Sequence, residues 1–451
     1  MAAVAERVGP RQPVPVARVR RVDSASGRAA VSARQSPVVS FATGQGVNVR
    51  RHLEALRDFR RTEFGTSIAR PSEGHIQATN DLLARLRKPL ERAVIEVELA
   101  GRTAARNPGS ADFGELLRRK AKAHDWVRAT ERVWDFYFEL FGQRQGAFGE
   151  WLYACDKIAL DCYQHVHMHL GKPRSIPSPG PFAYMRTGFS PATYRRNIPL
   201  RKLGRQLNPF PLVQLPYHRM VNPWTMGAIL HEVCHNLQNE LALEQAVPQT
   251  MYRALIDGGM PRPVARTWAR WNREIFADLM GCMLGGEAFV ASLMDVIGRS
   301  PEQVLAFSPH GVHPTPYLRT GLSTYLLRRM GFEQIAGDYD RVWKRLFPST
   351  AGTTIPRAML ATQREATRIV VDSICYTTFP SLGDRSLRQV ITFEPRQQAM
   401  IEEAAGRLAR GIDPGVVPER FLIGAVRIAV DRGLASPETA MRNFYQALSG
   451  S

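Results

Sequence analysis

Apolar residues recur every three or four positions along most of the chain, which is the spacing of an amphipathic α-helix. Between Arg50 and Gly171 this spacing predicts several long helices. Beyond residue 333 it predicts further helices, separated by Pro or Gly, over residues 334–346, 357–378, 395–410, 417–432 and 437–448. We therefore expect a mainly α protein with long helical regions on both sides of its middle part.

Residues 172–223 have a different pattern, because Pro, Gly and β-branched or aromatic residues replace the helical spacing. Two short strands, Phe182–Met185 and Ala192–Arg196, are predicted to pair across the turn at Gly188–Pro191. A third strand is predicted over Phe210–Arg219, and its two prolines place it at the edge of a sheet, where part of the backbone stays unpaired. The expected fold is therefore mainly α with a small β-sheet.

One predicted helix, Trp224–Leu241, carries the main candidate chemistry. Pro223 fits its first turn, and apolar residues at helical spacing give it a face that can be buried. His231 and His235 are four residues apart, so both imidazoles lie on one face and can bind a single metal ion. Glu232 lies beside them, within reach of a water molecule on that ion. The alternative is an ordinary helix with two core or surface histidines.

A second helix, predicted over Pro263–Leu284 and ended by Gly285-Gly286, offers a further ligand. Glu274 and Asp278 are four residues apart in it and share one face, although the residues around them are mostly apolar. Burying two carboxylates there is costly unless a cation compensates for them. Because a catalytic zinc takes three protein ligands and keeps a fourth position open, we expect this pair to complete the site. The alternative is a solvated pair of acids.

The motif HExxH followed by ExxAD resembles the gluzincin metallopeptidases, especially the group that includes the CAAX-prenyl endopeptidase, the membrane heat-shock protease and the soluble minigluzincins. That group also has a downstream HPxxxxR motif, and His313–Arg319 reads HPTPYLR in this chain. The resemblance covers about residues 224–320. It implies a zincin-like α+β metallopeptidase core, which we place at residues 173–333, between helical regions at 49–172 and 334–451.

The resemblance also implies a role for each site residue. One zinc ion per chain is expected to be bound by three residues, His231, His235 and Glu274. Glu232 is the implied general base, which activates the zinc-bound water and later passes the proton to the leaving amine. Asp278 is implied to hold a zinc-bound histidine in its orientation, and Arg319 to orient the loop that contains His313. His313 is the implied donor to the tetrahedral oxyanion.

These roles predict a soluble zinc-dependent endopeptidase that acts on a polypeptide substrate. An extended peptide is expected to add to the edge strand along four residues, Leu212, Val213, Gln214 and Leu215. Two alternatives stay open: a zinc hydrolase that acts on a non-peptide amide or ester, and an arginine-rich binding or structural protein whose metal site is only structural. A structural site needs a fourth ligand, for which His310 and His313 are the residues at a sensible spacing.

The net charge of +19 suggests acidic partners or nucleic acid. Only seven of the 60 basic residues are lysines, and the basic residues form no compact cluster with aromatic residues among them, so specific nucleic-acid binding is not expected. Residues 1–48 are predicted to be a disordered basic tail, which is either simply solvated or docks a delivery or partner protein.

The five cysteines lack a CxxC pair, which favours reduced thiols over a disulfide framework. The chain has no run of 18 apolar residues, and its first residues lack the apolar segment of a secretory signal. We therefore expect a soluble cytoplasmic protein with no membrane span, unless it is exported by a route that needs no signal peptide.

Overall fold

The computed structural model describes residues 36–188 and 191–450, and it confirms a mainly α protein with a small β-sheet. Its α-helices, in chain order, are α1 Pro37–Ala55, α2 Glu73–Arg106, α3 Ser110–Gly142, α4 Gly149–His169, α5 Tyr217–Met220, α6 Gly227–Glu240, α7 Leu243–Asp257, α8 Arg262–Arg270, α9 Asn272–Ile297, α10 Pro301–Val304, α11 Pro316–Arg329, α12 Glu333–Leu346, α13 Arg357–Val371, α14 Leu387–Val390, α15 Pro395–Ala409, α16 Phe421–Asp431 and α17 Pro437–Ser449. Its strands are β1 Phe182–Met185, β2 Ala192–Tyr194, β3 Pro199–Leu200, β4 Gln206–Leu207, β5 Leu212–Leu215, β6 Thr378–Phe379 and β7 Arg385–Ser386. The helices predicted beyond residue 333 are therefore present as α12, α13, α15, α16 and α17.

The prediction of a disordered tail over residues 1–48 is wrong for its last part, where α1 forms and packs against α2. Ala42 and Gly46 of α1 are buried, and a Cβ atom placed on Gly101 of α2 would lie only 2.7 Å from the carbonyl oxygen of Ala42. Residues this small allow two helices to approach closely but produce no stripe of large apolar side chains, so the pattern does not predict the helix. Residues 1–35 lie outside the described residues.

The helical regions and the sheet are joined by continuous packing. Phe141 of α3 and Phe182 of β1 lie edge to face with their ring centroids 5.4 Å apart, within one buried aromatic cluster. Trp151 of α4 and Tyr445 of α17 stack at 4.9 Å. The largest apolar core contains residues from α4 to α17, whereas α1, α2 and α3 contribute to two separate apolar clusters. All five cysteines are free and buried, as expected.

The main sheet has the order β1-β5-β2, which differs from the predicted hairpin. β1 pairs with β5 in parallel, with Phe182 opposite Leu212, and β2 pairs with β5 antiparallel, with Ala192 opposite Gln214. The prediction that the first two strands pair with each other is therefore wrong, and so is the edge position of the third. The two prolines of that third segment flank β5 instead of interrupting it, so they leave its hydrogen-bonding groups free to pair on both sides.

Helix α9 is sharply kinked at Gly286, where φ is 62° and ψ is −142°. The kink lies where the predicted helix was expected to end, at Gly285-Gly286. The single helix predicted before it is two helices in the structure, because α8 ends before Trp271 and α9 begins after it. A Cβ atom at position 286 would also lie 2.2 Å from the ring of Phe393. Beyond the kink the chain folds back, and the Phe289 ring lies so close to Gly281 that a Cβ there would approach it to 2.4 Å.

By length and composition α9 is also apolar enough to cross a membrane. However, 78% of its most apolar window is buried inside the protein, which is the pattern of a core helix. A single buried helix of this kind is consistent with a soluble protein.

Candidate metal centre

Helices α6 and α9 bring the three predicted zinc ligands together. The Nε2 atoms of His231 and His235, one helical turn apart on α6, lie 3.1 Å from each other. Glu274, in the first turn of α9, places Oε2 at 3.4 Å from Nε2 of His231 and Oε1 at 3.4 Å from Nε2 of His235. The ligand atoms of the three residues all lie within 4.8 Å of one another, a spacing that suits one metal ion. Two imidazoles and a carboxylate directed at one point are a donor set that catalytic zinc uses.

A buried carboxylate and a buried guanidinium support this group. Oδ1 of Asp278, which is fully buried, lies 2.9 Å from Nδ1 of His231, as expected for a residue that orients a metal ligand. Arg319 donates two hydrogen bonds to Asp278, from Nε at 2.8 Å and from Nη2 at 2.7 Å. The same Nη2 lies 3.9 Å from Glu274. Arg319 therefore holds the start of α11 against Asp278 and Glu274 of α9. In this way it also fixes one end of the loop that contains His313, without contacting that loop through these bonds.

The electrostatics of the cluster favour positive charge at its centre. Burial alone lowers the pKa of His231, but hydrogen bonds to Asp278 and Glu274 outweigh burial and raise this pKa to about 10. Burial, together with the neighbouring His231, lowers the pKa of His235 to about 3. Burial also opposes ionisation of Glu274, yet the hydrogen bond from His231 and the nearby cations hold its pKa well below the usual range. In the metal-free protein, the carboxylates of Glu274 and Asp278 are thus arranged around one positive charge, that of the His231 imidazolium. A divalent metal ion can supply positive charge at the same place.

Glu232 lines the cleft beside this cluster and is only 9% exposed. Burial raises its pKa to about 7, with a further contribution from Glu274, while His231 and Arg319 act in the opposite direction. A carboxyl group with a pKa near neutrality can both accept and release a proton at working pH. Because Glu232 is not one of the three clustered donors, its position suits proton transfer rather than metal binding.

His313 lies at the rim of the site, on the loop between α10 and α11. Its Nε2 atom is 3.5 Å from Glu274, and its side chain is 67% exposed. The loop is attached to the α8–α9 junction through Gly311, whose carbonyl accepts hydrogen bonds from Arg270 Nε at 3.0 Å and from Trp271 Nε1 at 3.1 Å. His313 is therefore held where it can donate to a group bound in the cleft.

A cleft of about 480 Å³ opens over the cluster, with walls from β2, α6, both parts of α9 and the loop. Asn236 of α6 donates from Nδ2 to Thr193 Oγ1 at 2.9 Å, which fixes β2 to α6. Ser292 accepts a hydrogen bond from the backbone N–H of Gly227 at 3.1 Å, which fixes the second part of α9 over the start of α6. The apolar wall consists mainly of Phe289, Leu293, Val296 and Val312.

The predicted peptide-binding strand is not part of this cleft. The cleft is not lined by the four residues of β5 predicted to bind substrate, Leu212, Val213, Gln214 and Leu215. β5 is central, so both of its edges are occupied by neighbouring strands. The wall is formed instead by Pro191, Ala192 and Thr193 at the start of β2, which is an edge strand of the described sheet. The error follows from strand order, which depends on long-range pairing.

Comparisons with known protein families, with curated proteins and with solved structures give no match. The three motifs nevertheless meet at one place, with HExxH on α6, ExxAD on α9 and HPxxxxR across the loop and the start of α11. The resemblance to gluzincins therefore rests on these sequence motifs alone, and the distances between the side chains show a possible metal-binding group.

Sequence reasoning missed several cleft residues. Arg270 and Arg273 line the cleft next to Glu274, and the proximity of Arg273 to the ExxAD motif is the one local signal for them. Phe289 and Leu293 have no such signal, because they reach the cleft only through the reversal of the chain at Gly286.

Proposed function

We propose that this protein is a soluble, cytoplasmic zinc-dependent endopeptidase of the gluzincin type, with its active site in the cleft between α6, α9 and β2. The observation that carries the proposal is the convergence of two imidazoles and one carboxylate beside a buried glutamate in an open cleft. This combination supplies a three-ligand metal site, a general base and space for a substrate, which are the requirements of metal-assisted hydrolysis.

The residues present fit a zinc ion. His231 and His235 would bind it through Nε2 and Glu274 through its carboxylate, while Asp278 keeps His231 in the required orientation. When bound, zinc supplies Lewis acidity, which polarises the scissile carbonyl and lowers the pKa of a water molecule to about 7.

The protein's own groups then manage protons and charge. Glu232 accepts a proton from the attacking water and delivers it to the leaving nitrogen, and its buried position in the cleft beside the three clustered donors suits both steps. His313 donates a hydrogen bond from Nε2 to the oxygen on which negative charge develops, because its rim position faces the same point as Glu274. The apolar wall of Phe289 and Leu293 excludes water from one side of the cleft.

A peptide substrate is favoured over a small ester or amide by the edge position of β2. One side of β2 pairs with β5, and the start of β2 lines the cleft. An extended peptide can therefore add to β2 by backbone hydrogen bonds and present its own amide to the site. The proposed peptide contact is therefore β2, and not β5 as the sequence predicts.

Two alternatives make different predictions. A hydrolase of non-peptide amides or esters would use the same zinc and Glu232, and differs only in its substrates. An arginine-rich binding protein with a structural metal would fill the fourth coordination position. Among the described residues, His313 is not part of the clustered donors and is largely exposed, which favours a site with an open position.

The test combines metal analysis with hydrolysis of a diverse peptide panel. Wild type is expected to hold about one zinc per chain, and His235→Ala to lose most of it. Glu232→Gln should keep the zinc and the fold but lose on the order of 10² or more in rate, because only the proton acceptor is removed. Glu131→Gln, at an exposed position on α3, is the matched control and should change neither.

A folded wild type without zinc, or a Glu232→Gln variant with full activity, contradicts the proposal. Glu232-dependent hydrolysis of small esters or amides but of no peptide would favour the first alternative. Zinc binding without hydrolysis of any substrate would favour the second.

A further inference from the structure

The cleft has a basic end, formed where α8 meets α9. Arg270, the last residue of α8, and Arg273, which precedes Glu274 on α9, both line the cleft wall. Glu274, which follows Arg273, lies beside His235 in the second half of α6, whereas Phe289 and Ser292, beyond the kink in α9, lie against Gly227 at the start of α6. The two ends of the cleft therefore differ in charge and polarity.

Arg270 is only partly satisfied by the protein. Its Nε atom donates to the carbonyl oxygen of Gly311 at 3.0 Å. Its Nη2 atom is buried and has no hydrogen-bond partner among the described residues. A buried guanidinium nitrogen without an acceptor is costly, and such groups in a binding cleft commonly obtain their acceptor from a ligand.

The charges around Arg273 are also unbalanced. Its side chain is 54% exposed, and its nearest carboxylate, Glu244, is 3.8 Å away. Glu244 already accepts hydrogen bonds from Arg195 and from Asn239. Arg195 and Arg273 therefore share one carboxylate, Glu244, and Arg270 forms no ion pair among the described residues, whereas Arg319 at the floor of the cleft has two hydrogen bonds to Asp278.

We propose that this basic end binds a carboxylate of the substrate. The inference rests on the proposed peptidase function and adds a substrate class to it: peptides that carry a negative charge close to the cleaved bond. A carboxylate at this end pairs with the half-exposed guanidinium of Arg273 and is attracted by the charge of Arg270, whose buried Nη2 gains an acceptor only where the neighbouring side chains give way to the ligand. Like charge disfavours a Lys or Arg side chain at the same position.

The carboxylate has two possible sources, an Asp or Glu side chain within the peptide or the free C-terminus of a short peptide. Both offer the same chemistry to Arg270 and Arg273. The two sources are separated by amidation, which removes the terminal charge and leaves side chains unchanged.

The test uses matched peptides with the zinc-loaded full chain. A good substrate taken from the peptide panel is made in versions with Glu, Gln or Lys at each position around the cleaved bond, each with a free or an amidated C-terminus. One position is expected at which Glu gives a kcat/KM about tenfold above Gln, and Lys a value below Gln. If amidation of the C-terminus abolishes the preference, the bound group is the terminal carboxylate. If the preference persists after amidation, the bound group is a side-chain carboxylate.

Variants connect the preference to these arginines. Arg273→Gln should reduce the Glu-to-Gln ratio severalfold, because it removes a guanidinium that faces the bound carboxylate; the ratio is taken within one variant, so a general change in turnover cancels. Arg270→Gln should reduce this ratio further, although this variant also loses the bond to Gly311. Arg266→Gln, which removes an exposed arginine one turn earlier on α8, is the charge-matched control and should keep the ratio.

Binding to the Glu232→Gln protein separates this inference from the peptidase proposal. Even if no peptide is cleaved, Glu-containing peptides of the panel should bind that protein about tenfold more tightly than the same peptides with Gln in place of Glu, and 0.5 M NaCl should reduce the difference. Equal affinities and equal kcat/KM for the Glu and Gln peptides, or a preference that Arg270→Gln and Arg273→Gln leave intact, would overturn the inference.

Discussion

The helix pair α2–α3 and the helix pair α6–α9 arise from similar amphipathic patterns but bury different groups. Leu83 of α2 and Tyr137 of α3 belong to one apolar cluster. Charges of this pair stay at the surface, where the side chains of Glu96 and Arg119 are 37% and 39% exposed. Between α6 and α9, by contrast, Asp278 has no exposed surface at all. The first pair is arranged as expected for stability alone, whereas the second contains charges that stability alone does not explain.

The energetic consequence of this difference is large. An exposed ion pair such as Glu96–Arg119 contributes at most about 1 kcal/mol to the free energy of unfolding, because water and salt screen it. Removing one partner of a buried pair costs about 3–5 kcal/mol, because an uncompensated charge is left in the core. The buried pairs Arg144–Asp156 and Arg420–Asp161 lie elsewhere in the protein, but only the Asp278–Arg319 pair, among these three, also contacts a residue of the clustered donors.

The largest expected effect comes from removing Asp278. Asp278→Ala leaves Arg319 buried without its partner and should lower the free energy of unfolding by about 3–5 kcal/mol. It should also reduce zinc affinity by tenfold or more, because His231 loses its orienting carboxylate. Urea unfolding and zinc titration measure the two effects.

Glu96→Ala is the surface counterpart and should change the free energy of unfolding by less than about 1 kcal/mol, with no effect on zinc. The double variant Asp278→Ala/Arg319→Met should recover part of the lost stability but none of the zinc affinity. An effect of Asp278→Ala no larger than that of Glu96→Ala would show that the two helix pairs do not differ in this way.

The same contrast explains what the sequence could predict. Helical spacing predicts α2, α3, α6 and the C-terminal helices, because a face of large apolar residues is a local signal. The site residues on α6 and α9 were predictable because i, i+4 spacing fixes which side chains share a face. Their meeting across two helices came from family resemblance and not from periodicity.

The features that were not predicted depend on contacts between distant segments. α1 packs through Ala42, Gly46 and Gly101, which carry no apolar signal. β5 is central because β1 and β2, which both precede it in the chain, pair with its two edges. The apolar wall of the cleft depends on the reversal at Gly286, where a local glycine signal predicts a helix end but not the direction taken afterwards.

A second prediction compares two buried histidines with opposite pKa shifts. His75 of α2 has a pKa lowered to about 4, mainly by burial and also by Arg144, despite its contact with the Gly180 carbonyl at 3.0 Å. It is neutral in the folded state, so the unfolded chain binds more protons below pH 6.5 and stability falls as pH decreases toward 4. This one group should cost about 2 kcal/mol at pH 5 relative to pH 7.5. In the metal-free protein the pKa of His231 is shifted in the opposite direction, because hydrogen bonds to Asp278 and Glu274 favour its protonated form.

The measurement is urea unfolding of wild type and His75→Gln at pH 7.5 and pH 5. The difference between the two proteins removes the contribution of zinc release, because both have the same metal site. Wild type should lose about 2 kcal/mol more than the variant on acidification. An equal loss in both would mean that His75 is not held neutral at the junction of α2 with the segment before β1.

The smallest expected effect tests whether α1 is part of the first helix assembly at all. Gly101→Ala places a Cβ atom 2.7 Å from the backbone oxygen of Ala42, which cannot move without shifting α1, so we expect the free energy of unfolding to fall by about 1 kcal/mol or more.

Gly44→Ala is the matched control on α1, where no atom lies within 4 Å of the added Cβ. It should raise stability by up to about 1 kcal/mol, because alanine favours a helix over glycine. If residues 37–48 were a tail, Gly44→Ala would have no effect and Gly101→Ala would stabilise α2 by up to about 1 kcal/mol instead of destabilising it, so a loss of stability in Gly101→Ala distinguishes a packed helix from a solvated segment. Both variants should keep full zinc content, because α1 and α2 contribute no residue to the metal centre.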